Sequence, residues 1–295
     1  MWIQRLTTPI SNLGAGEIAM RLTAVDLLLR PMGPWGVRPL ILVLAGLTLI
    51  LPRVLRSPLT WYVLAVLIAA RIAADWPLPD NHIYLLVYWC LAVGLALATT
   101  GGTLVLSKSS RLLIGFAFLM AVVWKGLLSP DYLDGRFFRV TLMTDDRFGD
   151  VAMLFGGLSE ADLAENREYL MPLPEGAELF EGPELAEPAA FSRLATVSTW
   201  GVFGGELLVA VSFLVPMSGR KVLLRHAVLL AFCVVTYAFA PVAGFGWLLL
   251  VMGLASCGAD ERRLVRGAYI VTWFAVLIFS EVPWSGILNK WLGNG

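Results

Sequence analysis

Apolar residues run along this chain in long stretches broken by short charged turns. Seven stretches are long enough to cross a bilayer, roughly 57–75, 83–106, 112–128, 195–217, 222–240, 242–257 and 267–281. The run 222–257 exceeds one span. Pro241, Gly244 and Gly246 suit a tight turn that divides it, and an unbroken, steeply tilted helix is the alternative. An eighth segment, 39–52, lies between Arg38 and Arg53 and either spans or enters and returns. Upstream, Ile18, Leu22, Val25 and Leu29 share one helical face of residues 15–30, the pattern of a helix in the membrane interface. The expectation is an all-α, polytopic integral membrane helical bundle with seven to eight transmembrane helices.

Composition agrees with that class. Of 295 residues, 58% are hydrophobic and only 15% charged, and the mean hydropathy is +0.76. A soluble chain of this length needs far more polar surface. The formal net charge is zero, so nothing suggests a nucleic-acid partner. Cys90, Cys233 and Cys257 all lie in or at the end of apolar runs, which argues for helix packing over a disulfide framework.

The charges sort by loop. Arg53 and Arg56, Lys108 and Arg111, Arg220, Lys221 and Arg225, then Arg262, Arg263 and Arg266 mark basic loops. Asp75 and Asp80, the long segment 129–194, and Glu281 mark acidic ones. The two kinds alternate along the seven spans. The positive-inside rule therefore puts the basic loops in the cytoplasm and 129–194 outside, in a bacterial inner membrane. This divides the chain into an N-terminal interfacial segment 1–36, first membrane helices 37–128, an acidic extracytoplasmic loop 129–194, and second membrane helices 195–295.

Residues 129–193 hold fourteen acids against five arginines, a net charge of −9, and the rest of the chain carries +9. Within this loop Ser159 begins a short helix, with Asp162 at the capping-box position and Leu158 and Leu163 placed as a staple. "RFFRVTLM" either lies on the membrane surface or forms a short strand. Asp131, Asp134, Asp145, Asp146 and Asp150 lack the alternating spacing of a calcium loop. They read as a solvated face, which suits docking of an extracytoplasmic partner protein. No metal site is expected, because two histidines in different helices make a poor one.

Ionisable groups inside spans are costly, so each is a candidate site. Lys125 is the one charge in the run Leu112 to Leu128. It either anchors the span by reaching for water or, with its hydration stripped, serves as a base. Glu206 lies near the middle of 195–217, after "GVFGG", where Gly201 and Gly205 suit close helix approach. Arg71 and His226 are the other polar groups expected at a substrate pocket.

Phe118, Ala121, Lys125, Tyr132 and Gly135, together with "RHAVLLAFCVVTYAFAPVAGFGWLLLVMGLA", resemble the horizontally transferred transmembrane (HTTM) family. That family includes the membrane part of the vitamin K-dependent gamma-carboxylases. The similar region covers about 120–260. Val122, Gly126 and Tyr132 stand where the family pattern has glycine, leucine and tryptophan. The resemblance implies that Lys125 is the base acting on a reduced quinone, with Glu206 where some members carry an acid. Two functions follow as expectations. One is an enzyme acting on a lipid-soluble, quinone-like substrate. The other is a non-catalytic membrane subunit or scaffold whose acidic outer loop docks a partner.

Overall fold

The computed structural model describes residues 14–30, 32–77, 80–171, 184–239, 243–258, 263–282 and 284–292. Every regular element among them is helical. Helices α1 (Ala15–Leu29), α2 (Arg38–Ile50), α3 (Pro52–Leu55), α4 (Pro58–Ala74), α5 (Asn81–Ala98) and α6 (Gly102–Val123) come first. A π-helical turn, Trp124–Leu128, continues α6. Then follow α7 (Pro130–Leu133), α8 (Arg136–Thr144), α9 (Gly149–Gly156), α10 (Glu160–Tyr169), α11 (Ala189–Leu214), α12 (Arg220–Phe239), α13 (Ala243–Ala255), α14 (Arg263–Glu281) and α15 (Trp284–Leu292).

Four helices are long and apolar enough to cross a membrane, which makes this an integral membrane protein: Asn81–Ala98, Gly102–Leu128, Ala189–Leu214 and Arg220–Phe239. Helices α2, α4 and α13 are apolar but shorter. The run 222–257 is divided, with α12 ending at Phe239 and α13 starting at Ala243. Pro241 falls outside the described residues. So do Arg262, Pro172, Pro174 and Pro183.

The chain forms two compact units. The first comprises Met1–Phe118, Val209–Val234 and Val242–Leu277, and the second Leu119–Leu208, Val235–Pro241 and Ile278–Gly295. Residues 129–194 are thus part of a unit that also takes in helical residues on both sides of them.

In the first unit α4 packs along α5, and α1 packs on α2 and α13. The Trp89 indole N–H donates to Thr23 Oγ1 at 2.9 Å, tying α5 to α1. Arg111 donates to the Phe213 carbonyl at 3.2 Å, and Arg225 to that of Ser212 at 2.8 Å. These basic residues satisfy carbonyls of the last turn of α11, where the helix dipole also favours them.

Ile18 and Leu22 of the apolar stripe of α1 are buried, with Ala19, Thr23 and Asp26 beside them, while Leu29 is half exposed. The protein-facing side, set by contacts with α2 and α13, therefore includes polar residues outside the stripe. The Asp26 Oδ1 has no hydrogen-bond partner among the described residues. Burial raises its carboxyl from the ordinary 3.8 to about 7, with Arg30 pulling the other way. A raised acid binds its proton more tightly folded than unfolded. Its contribution to stability therefore falls as pH rises from about 4 through 7. We expect melting curves of Asp26→Asn in detergent to lose part of the wild-type decline over that range. An unchanged pH profile would count against a buried, protonated Asp26.

In the second unit Leu142, Met143, Ala152, Leu158, Leu163, Phe191 and Ala195 form a small core. Ser159 caps α10 in a full capping box with Asp162. Leu158 and Leu163 both enter the core. "RFFRVTLM" is not a strand. It is the helix α8, started by Gly135 in the left-handed conformation at φ 87°. Leu142 and Met143 of α8 turn inward, and Arg139 on its outer side reaches Glu187 at 3.1 Å. Four further acids of the segment pair locally: Asp131 and Asp134 with Arg136, Asp145 with Arg147, and Asp146 with Arg167. Among the described residues no three His, Cys, Asp or Glu side chains gather as a metal site.

Candidate functional site

Lys125 and Glu206 meet inside the second unit. Lys125 is the second residue of the π-helical turn. A π-turn widens the helix by one residue per turn, is rarely longer, and recurs at functional sites. Here it ends the span and is followed by Pro130, whose ring cannot continue a hydrogen-bonded helix. The Lys125 Nζ donates to Glu206 Oε1 at 2.5 Å. The two side chains are 21% and 10% exposed, so the pair is mostly withdrawn from its surroundings.

Tyr132 completes the cluster. Its ring centroid lies 4.9 Å from Lys125 Nζ, a cation–π contact that adds to the carboxylate's hold on the ammonium. The Tyr132 hydroxyl is buried without a hydrogen-bond partner among the described residues, and so is Glu206 Oε2. Burial, reinforced by the Glu206 carboxylate, pushes the Tyr132 phenol up, so it stays a protonated donor at neutral pH. A donor, an acceptor and an ammonium thus sit together, and the first two have unused hydrogen-bonding capacity.

Gly201, one of the two glycines expected at a close helix approach, does not make one. A Cβ at Gly201 would meet nothing within 4 Å among the described residues. The close contact lies at Gly126, where a Cβ would stand 3.3 Å from Phe203 Cε2. Gly126 lets the ring of Phe203 lie against the π-turn, on the segment that carries Glu206 one turn further on.

The other two residues expected at a pocket belong to the first unit. Arg71 donates from Nε to Asp75 Oδ2 at 2.9 Å, one turn along α4. His226 Nδ1 is 2.9 Å from the Tyr269 hydroxyl, with the rings edge to face. Neither is brought to the Lys125–Glu206 pair, and Arg71 lines a cleft of its own unit. Tyr132 is the site residue that the sequence reading did not assign. Its signal is its place seven residues after Lys125, in a polar segment where a buried aromatic needs a reason.

The three cysteines are free and buried. No family model matches the chain, and no curated protein or solved structure does either.

Proposed function

We propose that this protein is a membrane enzyme that removes a proton from a lipid-soluble, hydroxyl-bearing substrate such as a reduced quinone. The observation that carries the reading is the withdrawn Lys125–Glu206 pair at 2.5 Å beside the unpartnered Tyr132 hydroxyl and Glu206 Oε2. An ammonium has no lone pair, so Lys125 acts as a base only after handing a proton to Glu206. The contact between them supplies that route. Lys125 then takes the substrate's proton, leaving a lysinium, a neutral glutamic acid and an oxyanion. The Tyr132 hydroxyl donates to that oxygen as its charge develops. The resemblance of Phe118, Ala121, Lys125, Tyr132 and Gly135 to the HTTM family supports the same assignment of Lys125.

Arginine in place of Lys125 keeps the positive charge and the ion pair but stays protonated. Lys125→Arg should abolish quinone-dependent turnover at matched membrane levels. Wild-type turnover of that variant would sink the proposal.

The exposed acids Glu160, Glu165 and Glu168 of α10, opposite buried Leu163 and Asn166, favour a second reading. In it the segment docks a basic partner and the protein is a non-catalytic subunit. A tolerated Lys125→Arg with loss of complex assembly in a Glu160, Glu165 and Glu168 triple glutamine variant would support that reading.

Lys108 and Arg111 lie inside α6 and not in a loop, because the chain turns between α5 and α6 at 99–101. The remaining basic loops still favour 129–194 outside a bacterial inner membrane, and α2, α4, α13 and α14 would complete eight crossings. Single cysteines at Ser159 and at Ser218, exposed between α11 and α12, test this with an impermeant thiol label. Labelling at 218 and not at 159 in intact cells would reverse the orientation.

A further inference from the structure

The first unit holds a cleft of about 300 Å³ lined by Arg30, Met32, Arg71, Asp80, His82 and Ile83. Its walls are helix ends. Arg30 caps α1, Arg71 lies in the last turn of α4, and Asp80 precedes the spanning helix α5. The cleft therefore lies where α5 leaves the apolar layer, at the depth of lipid headgroups.

Two opposite charges in this cleft are unspent. The Arg30 guanidinium lies with Cζ 5.0 Å from the centroid of the Trp247 ring and close against Gly244. The ring contact holds the group in place, and no acid among the described residues is within ion-pair distance of it. Asp80 is exposed, does not cap its own helix, and pairs with no described cation. Arg71 is held by Asp75 through Nε, which leaves its terminal nitrogens as donors. Asp26, one turn before Arg30, is buried.

We propose that this cleft binds a phosphoethanolamine group. The phosphate lies on the Arg30 and Arg71 guanidiniums, with His82 beside them, and the ammonium lies on Asp80. Two guanidiniums from different helices offer more donors than one carboxylate uses, and forked pairing suits a phosphate's oxygens. Met32 and Ile83 give the apolar wall that the glycerol end of a lipid would need. The group has two sources, the headgroup of phosphatidylethanolamine or soluble phosphoethanolamine.

The test uses the full chain in detergent, with lipid binding followed by native mass spectrometry. Phosphatidylethanolamine should bind more tightly than phosphatidylglycerol of the same acyl chains. Arg30→Gln should weaken that binding by about tenfold or more. Arg30→Lys, which keeps charge and loses the fork, should fall between. Asp80→Asn should erase the preference for phosphatidylethanolamine while leaving phosphatidylglycerol binding unchanged. Displacement of the lipid by equimolar soluble phosphoethanolamine would identify the soluble source, and no displacement the lipid. Equal binding of the two lipids by the wild type, or full binding by Arg30→Gln, overturns the proposal. Should Arg30→Gln fail to fold, the exposed Asp80 decides: an unchanged lipid preference in Asp80→Asn overturns it equally.

Discussion

Lys125→Leu is expected to cost about 3–5 kcal/mol of stability, because it leaves the Glu206 carboxylate withdrawn and unpaired. Glu206 lies well inside α11 and is 10% exposed, so it has no route to water. Glu206→Leu should cost less. The ammonium it strands is at the end of the α6 span, where a lysine can swing toward the headgroups. The double variant Lys125→Leu/Glu206→Leu removes both charges and should recover most of the loss, since apolar replacement of a whole buried pair is often neutral or better. Chemical unfolding of the four proteins in one detergent measures the coupling between the sites. Single variants as stable as the wild type would mean that solvent already screens the pair. Equal losses in the two singles would remove the argument from depth.

Gly94→Val should destabilise the packing of α4 on α5. A Cβ at Gly94 would stand 2.6 Å from Cε1 and 2.8 Å from Cδ1 of Tyr62. Those atoms belong to a rigid ring near its root, so relief requires the ring to leave its rotamer or the helices to part. Overpacking of this kind costs about 1–3 kcal/mol. Tyr62→Leu in the same chain should return part of it, because the replacement takes the ring away. A melting temperature for Gly94→Val within error of the wild type would show that the α4–α5 approach is looser than described.

Much of the helical layout can be read along the chain. Long apolar runs become α5, α6, α11 and α12, because a segment in lipid must satisfy its own backbone hydrogen bonds. The start of α10 is equally readable, since Ser159, Asp162 and the Leu158–Leu163 staple are all within six residues. Lys125 and Glu206 stand out one by one for the same local reason, a charge in an apolar run. Helix α8 is less readable: its Phe, Val and Leu suit a strand as well as a helix, and the position of Gly135 and the core beneath Leu142 decide it.

What the sequence by itself determined is therefore the all-helical membrane class with its four long apolar helices, the capped helix in the acidic segment, and the two charges worth asking about. Tertiary structure decided that Lys125 and Glu206, 81 positions apart, form one pair, that Tyr132 joins them, and that Arg71 and His226 have partners in the other unit. It also decided which face of α1 is buried. The physical reason is the solvent. A helix in water must turn its apolar stripe inward, so periodicity names the buried face. A helix surrounded by lipid and by other helices is apolar on nearly every side, and only the fit of neighbouring side chains selects which side meets protein.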